Sequence, residues 1–189
     1  MKVTDFSKGF SHSQIMTDLS PAVDVPLATY RFSAGDLCMK NSLNAGVRLH
    51  EAFAAYSTGS WFNPRYTGAC QAIVGALADL GVREFDTEVP LHGTHLHGVA
   101  DIVGHTSENR LVIADLKATL GEYALPPKAA ELLQLASYAL LAGDGPYRLI
   151  CVRAALRQRR INVFEVDEQR VLKLMELIRV EITSERVAA

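Results

Sequence analysis

Cysteine is scarce: only Cys38, Cys70 and Cys151 occur in 189 residues, far apart in sequence. An odd number with no C-x-x-C pair indicates neither a disulfide framework nor a zinc or iron–sulfur knuckle, so buried thiols are expected. Long apolar runs are also missing. The stretch Leu132 to Ala142 falls well short of the roughly 18 uninterrupted residues of a membrane span, and the N-terminus has no basic-then-apolar signal pattern. A soluble cytoplasmic protein without membrane contact is expected. Nor is there an excess of positive charge: 19 Lys and Arg against 21 Asp and Glu give a formal charge of −2. That excludes a general nucleic-acid coat protein and confines any DNA or RNA contact to a local surface. Internal repeats, low-complexity tracts and Gly- or Pro-rich linkers are absent too, and the length suits one domain. That domain is expected over residues 41–189, preceded by an irregular arm or cover over 1–40, where Pro21 and Pro26 interrupt any periodic pattern.

With 49% hydrophobic and 21% charged residues, the chain has enough apolar material for a core. Helical spacing of Val47, Ala54 and their apolar neighbours predicts a helix from Leu43 to about Tyr56, with Asn41 or Ser42 as its cap, and a second follows from Cys70 to Leu80, ending at Gly81. The pattern then shortens and alternates. Strands are predicted at Glu84–Pro90, His95–Val103 and Leu111–Lys117, the last two forming a hairpin around Ser107 to Asn109. A strongly apolar helix over Ala129–Ala142, strands at Tyr147–Val152 and Arg160–Val166, and a final helix over Glu168–Ile182 capped by Asp167 complete the order.

The most informative segments are Gly98-Val99-Ala100-Asp101 and Ile113-Ala114-Asp115-Leu116-Lys117. Residues two apart on a strand share a face, so Asp115 and Lys117 point the same way, and the turn position puts Asp101 within a residue or two of facing Asp115. Converging carboxylates repel unless a cation lies between them, and hard oxygen donors suit Mg²⁺ or Mn²⁺. A lysine there is better suited to positioning and charge stabilisation than to proton abstraction, because neighbouring carboxylates raise its pKa. A charged strand edge is the bland alternative. On the next helix Gln134 and Tyr138 lie four apart, on one face of an otherwise apolar element. On the first helix, His50 and Glu51 supply an imidazole and a carboxylate.

Taken in order, G-x-x-x-H (Gly46, His50), G-x-x-D (Gly98, Asp101), D-x-K (Asp115, Lys117) and Q-x-x-x-Y (Gln134, Tyr138) resemble the PD-(D/E)xK nuclease superfamily, in particular its RecB/AddB/Cas4-like branch. The resemblance covers about Gly46 to Tyr138. It implies an α/β, restriction-endonuclease-like core with a mixed central β-sheet flanked by helices, and metal-dependent hydrolysis of DNA. It further implies His50, Asp101, Asp115 and the carbonyl of Leu116 as metal ligands for Mg²⁺ or Mn²⁺. By the same resemblance Lys117 is the catalytic lysine, while Gln134 and Tyr138 orient the site and the DNA backbone. Glu51 and Glu88 are weaker candidates for supporting or second-metal roles. The acidic position of D-x-K is Asp where many members carry Glu, and the iron–sulfur cysteine cluster of part of the branch is missing. Processive activity by such a domain requires a helicase or recombination partner.

Two other readings stand beside this one. The first is a catalytically silent nuclease fold that binds DNA or protein. The second is a cupin-like metal site, because His95, His97 and Asp101 share a strand face by parity, with His92 nearby. Elsewhere, Arg148, Arg153, Arg157, Arg159 and Arg160 occupy a window free of acidic residues between Asp144 and Glu165, which reads as a basic ridge for a phosphate backbone. Trp61, Phe62 and Tyr66 form either a small hydrophobic cluster or a surface on which bases stack.

Overall fold

The computed structural model describes residues 1–10, 26–33, 42–121, 126–143 and 145–188. In chain order these form α1 (Val3–Phe10), β1 (Ala28–Arg31), α2 (Ser42–Ser57), one 3-10 turn (Pro64–Tyr66), α3 (Thr67–Asp79), β2 (Val82–His92), β3 (His97–Thr106), β4 (Leu111–Thr119), α4 (Ala129–Ala142), β5 (Tyr147–Ala155), β6 (Arg160–Val166) and α5 (Glu168–Ala188). All the expected strands and helices after residue 41 are present. The expected Asn41 cap lies outside the described residues. Within 1–40, by contrast, α1 and β1 are regular elements that the irregular composition does not signal.

The six strands make one mixed sheet in the order β1-β6-β5-β4-β3-β2. Only β4 and β5 run parallel, joined through α4, and every other pair is antiparallel. Residues Leu111 to Leu116 of β4 are buried without alternation, as a strand covered on both faces requires. On one face Leu111 and Ile113 pack with α1, α4 and α5; on the other Val112, Ala114 and Leu116 pack with α2 and α3. Pro90 lacks the N–H that a central strand needs, and β2, which carries it, is an edge.

Local chemistry fixes the ends. Gly81, at φ 80°, ends α3 in a left-handed conformation that other residues adopt at a cost. Asn109, at φ 60°, turns the β3–β4 hairpin where the sequence places it. Asp167 Oδ1 accepts the Arg170 N–H at 3.1 Å, the expected cap of α5. In α2 the buried stripe is Ala45, Leu49, Ala52 and Phe53, whereas Val47 is exposed. The helix is therefore rotated from the expected Val47–Ala54 face, and that face looks into a groove.

Cys70 and Cys151 are buried free thiols, and burial raises both thiol pKa values, Cys70 to about 12. The basic ridge is smaller than expected. Arg148 makes a fork to Glu165, at 2.6 and 2.7 Å, and donates to the Leu80 carbonyl at 2.5 Å, while Arg153 pairs with Glu131. Both are structural cations, leaving Arg157, Arg159 and Arg160 around the β5–β6 turn. Arg148→Ala is expected to lower folding stability by about 1.5–3 kcal/mol, because a charged fork is lost and the Leu80 carbonyl loses its donor. Chemical denaturation compared with Arg157→Ala, which should fall within about 0.5 kcal/mol of wild type, checks this.

Candidate metal centre

Cα partners of β3 and β4 run from His105 with Leu111 to Ile102 with Ala114. Continued one step, that register sets Asp101 opposite Asp115, as the turn position predicts. Regular pairing ends there, because Asp101 Oδ2 accepts the Leu116 N–H at 2.7 Å. A side chain thus takes the role of a backbone acceptor and is pinned by it. The carbonyl of the same Leu116 lies 2.5 Å from His50 Nε2. The other ring nitrogen, Nδ1, is 3.4 Å from Asp101 Oδ1 and 3.6 Å from Glu88 Oε1.

Glu88 enters through an unusual backbone. It sits between the pairs Thr87–Ile102 and Val89–Ala100 on β2, with φ 52°, a left-handed value that costs a non-glycine residue about 1–3 kcal/mol. His50, Glu88 and Asp101 each offer a donor atom, and these atoms all lie within 4.8 Å of one another. Glu88 was the weaker candidate by sequence. Its strand position alone gives no sign of this convergence, which depends on the backbone reversal.

Asp115 is 1% exposed and lies outside that trio. Its Oδ1 accepts from Lys117 Nζ at 2.5 Å, and its Oδ2 is buried without a hydrogen-bond partner. Burial raises the Asp115 carboxyl pKa, Lys117 opposes the rise and Asp101 adds to it. For Lys117 burial favours the neutral amine, but Asp115 and Asp101 outweigh it and hold the ammonium above its ordinary pKa. The side chain is therefore a cation, not a base. Burial also works against the charged form of His50, yet the Asp101 hydrogen bond and charge and the Leu116 carbonyl prevail, raising it to about 8. Without a metal those acceptors favour the protonated ring; a His50 nitrogen that binds a cation must first shed its proton, so metal binding there would be coupled to proton release.

The remaining motif residues approach from α4, across the sheet. Gln134 Nε2 donates to the Tyr138 hydroxyl at 3.2 Å. Tyr138 is buried, with its pKa raised by burial, lowered by Gln134 and raised by the charges of Asp101 and Asp115. A Cβ on Gly98 would meet the Tyr138 ring at 2.7 Å, so the motif glycine makes room for the tyrosine. Gly46 is different: a Cβ there meets nothing within 4 Å, and the residue borders the groove. That groove, about 840 Å³, is lined by Val47, His50, Glu51, Glu88 and Lys117 among others. Gln134 and Tyr138 do not line it.

The model of the PD-(D/E)XK nuclease superfamily matches residues 36–185, most of the chain. The chain belongs to the PD-(D/E)XK nuclease superfamily. No curated protein matches it. Among solved structures, the crystal structure of SSO0001 is 19% identical, with a TM-score of 0.35 and coverage of 56% of this chain and 54% of that one. The match spans about half of that chain.

Nucleases of this superfamily use divalent metals, and the side chains here fit one. The buried Asp115 Oδ2 has no hydrogen-bond partner and needs a cation or a proton, and, apart from it, His50, Glu88 and Asp101 bring an imidazole and two carboxylates within 4.8 Å of one another, with the Leu116 carbonyl against the ring. The cupin reading is overturned. The sheet is open and mixed with helices on both faces, His95 lies in the β2–β3 turn, and His97 pairs with His92 at the hairpin end. Neither His95 nor His97 joins the metal-competent cluster found among the described residues. No helix among those residues is long and apolar enough to cross a membrane.

Proposed function

We propose that this nuclease-superfamily chain is a RecB-like deoxyribonuclease, an exonuclease that uses Mg²⁺ or Mn²⁺ to hydrolyse phosphodiester bonds. The observation that carries the reading is the convergence of His50, Glu88 and Asp101 within 4.8 Å, on a groove into which the Asp115-paired Lys117 also opens. His50, Asp101, Asp115 and the Leu116 carbonyl would hold the ion, with Glu88 added to the set on the strength of its position. A bound divalent ion polarises the scissile phosphate and lowers the pKa of the attacking water.

The chain's own groups do the rest. Asp101 is held by the Leu116 N–H with its other oxygen towards His50. Lys117, kept protonated by Asp115 and Asp101, donates from Nζ to the attacking water or to the charge growing on phosphate oxygen. Tyr138, held by Gln134 and seated on Gly98, braces the strands behind the carboxylates. Unwinding of duplex ahead of the site would come from a helicase or recombination partner.

The test is a cleavage assay on end-labelled linear, circular and single-stranded DNA with Mg²⁺, Mn²⁺ or chelator. Metal-dependent release of nucleotides from linear but not circular DNA is expected. Cleavage that persists in chelator removes the mechanism, and rapid cutting of circles replaces the exonuclease with an endonuclease.

A further inference from the structure

Helix α2 is a wall between two cavities. Its residues Gly46, Val47, His50, Glu51 and Ala54 face the metal groove, whereas Arg48, Glu51, Ala52 and Ala55, spaced three and four apart, face a second cavity of about 400 Å³. Glu51 belongs to both. Across from Arg48 the second cavity is closed by Trp61, Phe62 and Tyr66. These aromatics do not form the single cluster that the sequence allows: Tyr66 is buried and Phe62 sits edge-on against Tyr56 with ring centroids 5.5 Å apart, but Trp61 is 88% exposed.

The loop that presents Trp61 is built rather than slack. Ser60 N–H donates to the Ala55 carbonyl at 2.8 Å, and Thr58 Oγ1 bonds Ser60 Oγ at 3.0 Å. On the other side Asn63 Oδ1 accepts the Arg65 N–H at 3.1 Å and starts the 3-10 turn. An indole this exposed, on a cavity of ligand size that Arg48 also lines, forgoes the burial that most tryptophans obtain.

We propose that Trp61 and Arg48 form a base-stacking subsite through which the enzyme selects single-stranded DNA. The proposal rests on the nuclease reading, because the phosphodiester groove lies one helix width away, about 10–12 Å. An indole face stacks on any unpaired base, and Arg48 meets the adjoining phosphate or extends the stack. Bases inside a duplex have both faces covered and cannot occupy the site without leaving the helix.

Trp61 is the chain's single tryptophan, so fluorescence excited at the red edge, where tyrosine does not absorb, reports on this site alone. The experiment titrates the full wild-type chain, in chelator to prevent cleavage, with an oligothymidylate of about 12 nucleotides. Three further titrations use a blunt duplex, an abasic strand of equal length, and the oligothymidylate against Arg48→Gln. Saturable quenching by oligothymidylate is expected, with little from the duplex or abasic strand and at least about tenfold weaker affinity in Arg48→Gln. Anisotropy of a labelled strand should show a similar loss in Trp61→Ala and recovery of most of it in Trp61→Phe. Absence of quenching, or equal quenching by duplex or abasic DNA, overturns the subsite. Cleavage of the same strand by wild type in Mn²⁺ is scored separately. Cleavage without quenching removes the subsite and leaves the nuclease, whereas quenching without cleavage removes the nuclease and leaves a single-strand binding surface.

Discussion

Lys117→Ala is expected to reduce DNA cleavage by at least about 100-fold, the scale on which loss of one transition-state donor is felt. The effect exceeds that of a missing donor because the ammonium is also the partner of Asp115 Oδ1. Without it, a carboxylate that is already 1% exposed and missing a partner at Oδ2 loses its nearest cation and shifts further towards its protonated form. A protonated Asp115 is a poor ligand. The fold should survive, since neutralisation of that carboxyl limits the loss to about 1–3 kcal/mol. Rates at saturating DNA separate the roles: kcat should fall with KM little changed, and Lys117→Arg, which restores charge but not shape, should recover only part of the rate. Full activity in purified Lys117→Ala would remove Lys117 from the chemistry.

The second large effect is expected at Asp101. Asp101→Asn preserves size and leaves an amide oxygen to accept the Leu116 N–H, so the sheet edge should stay intact and the melting temperature of metal-free protein should move by only a few degrees. Metal affinity is another matter. Losing the charge that faces His50 at 3.4 Å should weaken Mn²⁺ binding by at least about tenfold, and cleavage should fall with it. Titration calorimetry with Mn²⁺ on both proteins reads this directly. Unchanged Mn²⁺ affinity in Asp101→Asn would move the metal centre elsewhere.

Much of the arrangement was legible in the chain. The β3–β4 turn set Asp101 against Asp115 because an antiparallel register follows once the hairpin loop is known, and α4 could be read from its unbroken apolar character. His50 was reachable only through the family resemblance of the G-x-x-x-H motif, since a lone histidine on a helix carries no such signal. What sequence could not supply came from three-dimensional context. Helix α2 is rotated so that Val47 borders the groove, because Leu49 and Phe53 claim the core. The edge strand β1 has only four residues and owes its place to β6 rather than to a pattern of its own. Arg148 and Arg153 looked like members of a DNA-binding ridge, and their acidic partners lie 17 residues later and 22 residues earlier, out of view of any local window.

The left-handed backbone at Glu88 has a bearing on how the molecule would change if its chemistry were no longer needed. Glycine at that position would relieve the steric conflict and make the apoprotein sturdier, while stripping a carboxylate from the rim of the groove. Under the proposed function, durability and reactivity would be set against each other at one position on an outer strand, and a laboratory selection for heat resistance alone would be drawn to that spot at the expense of turnover.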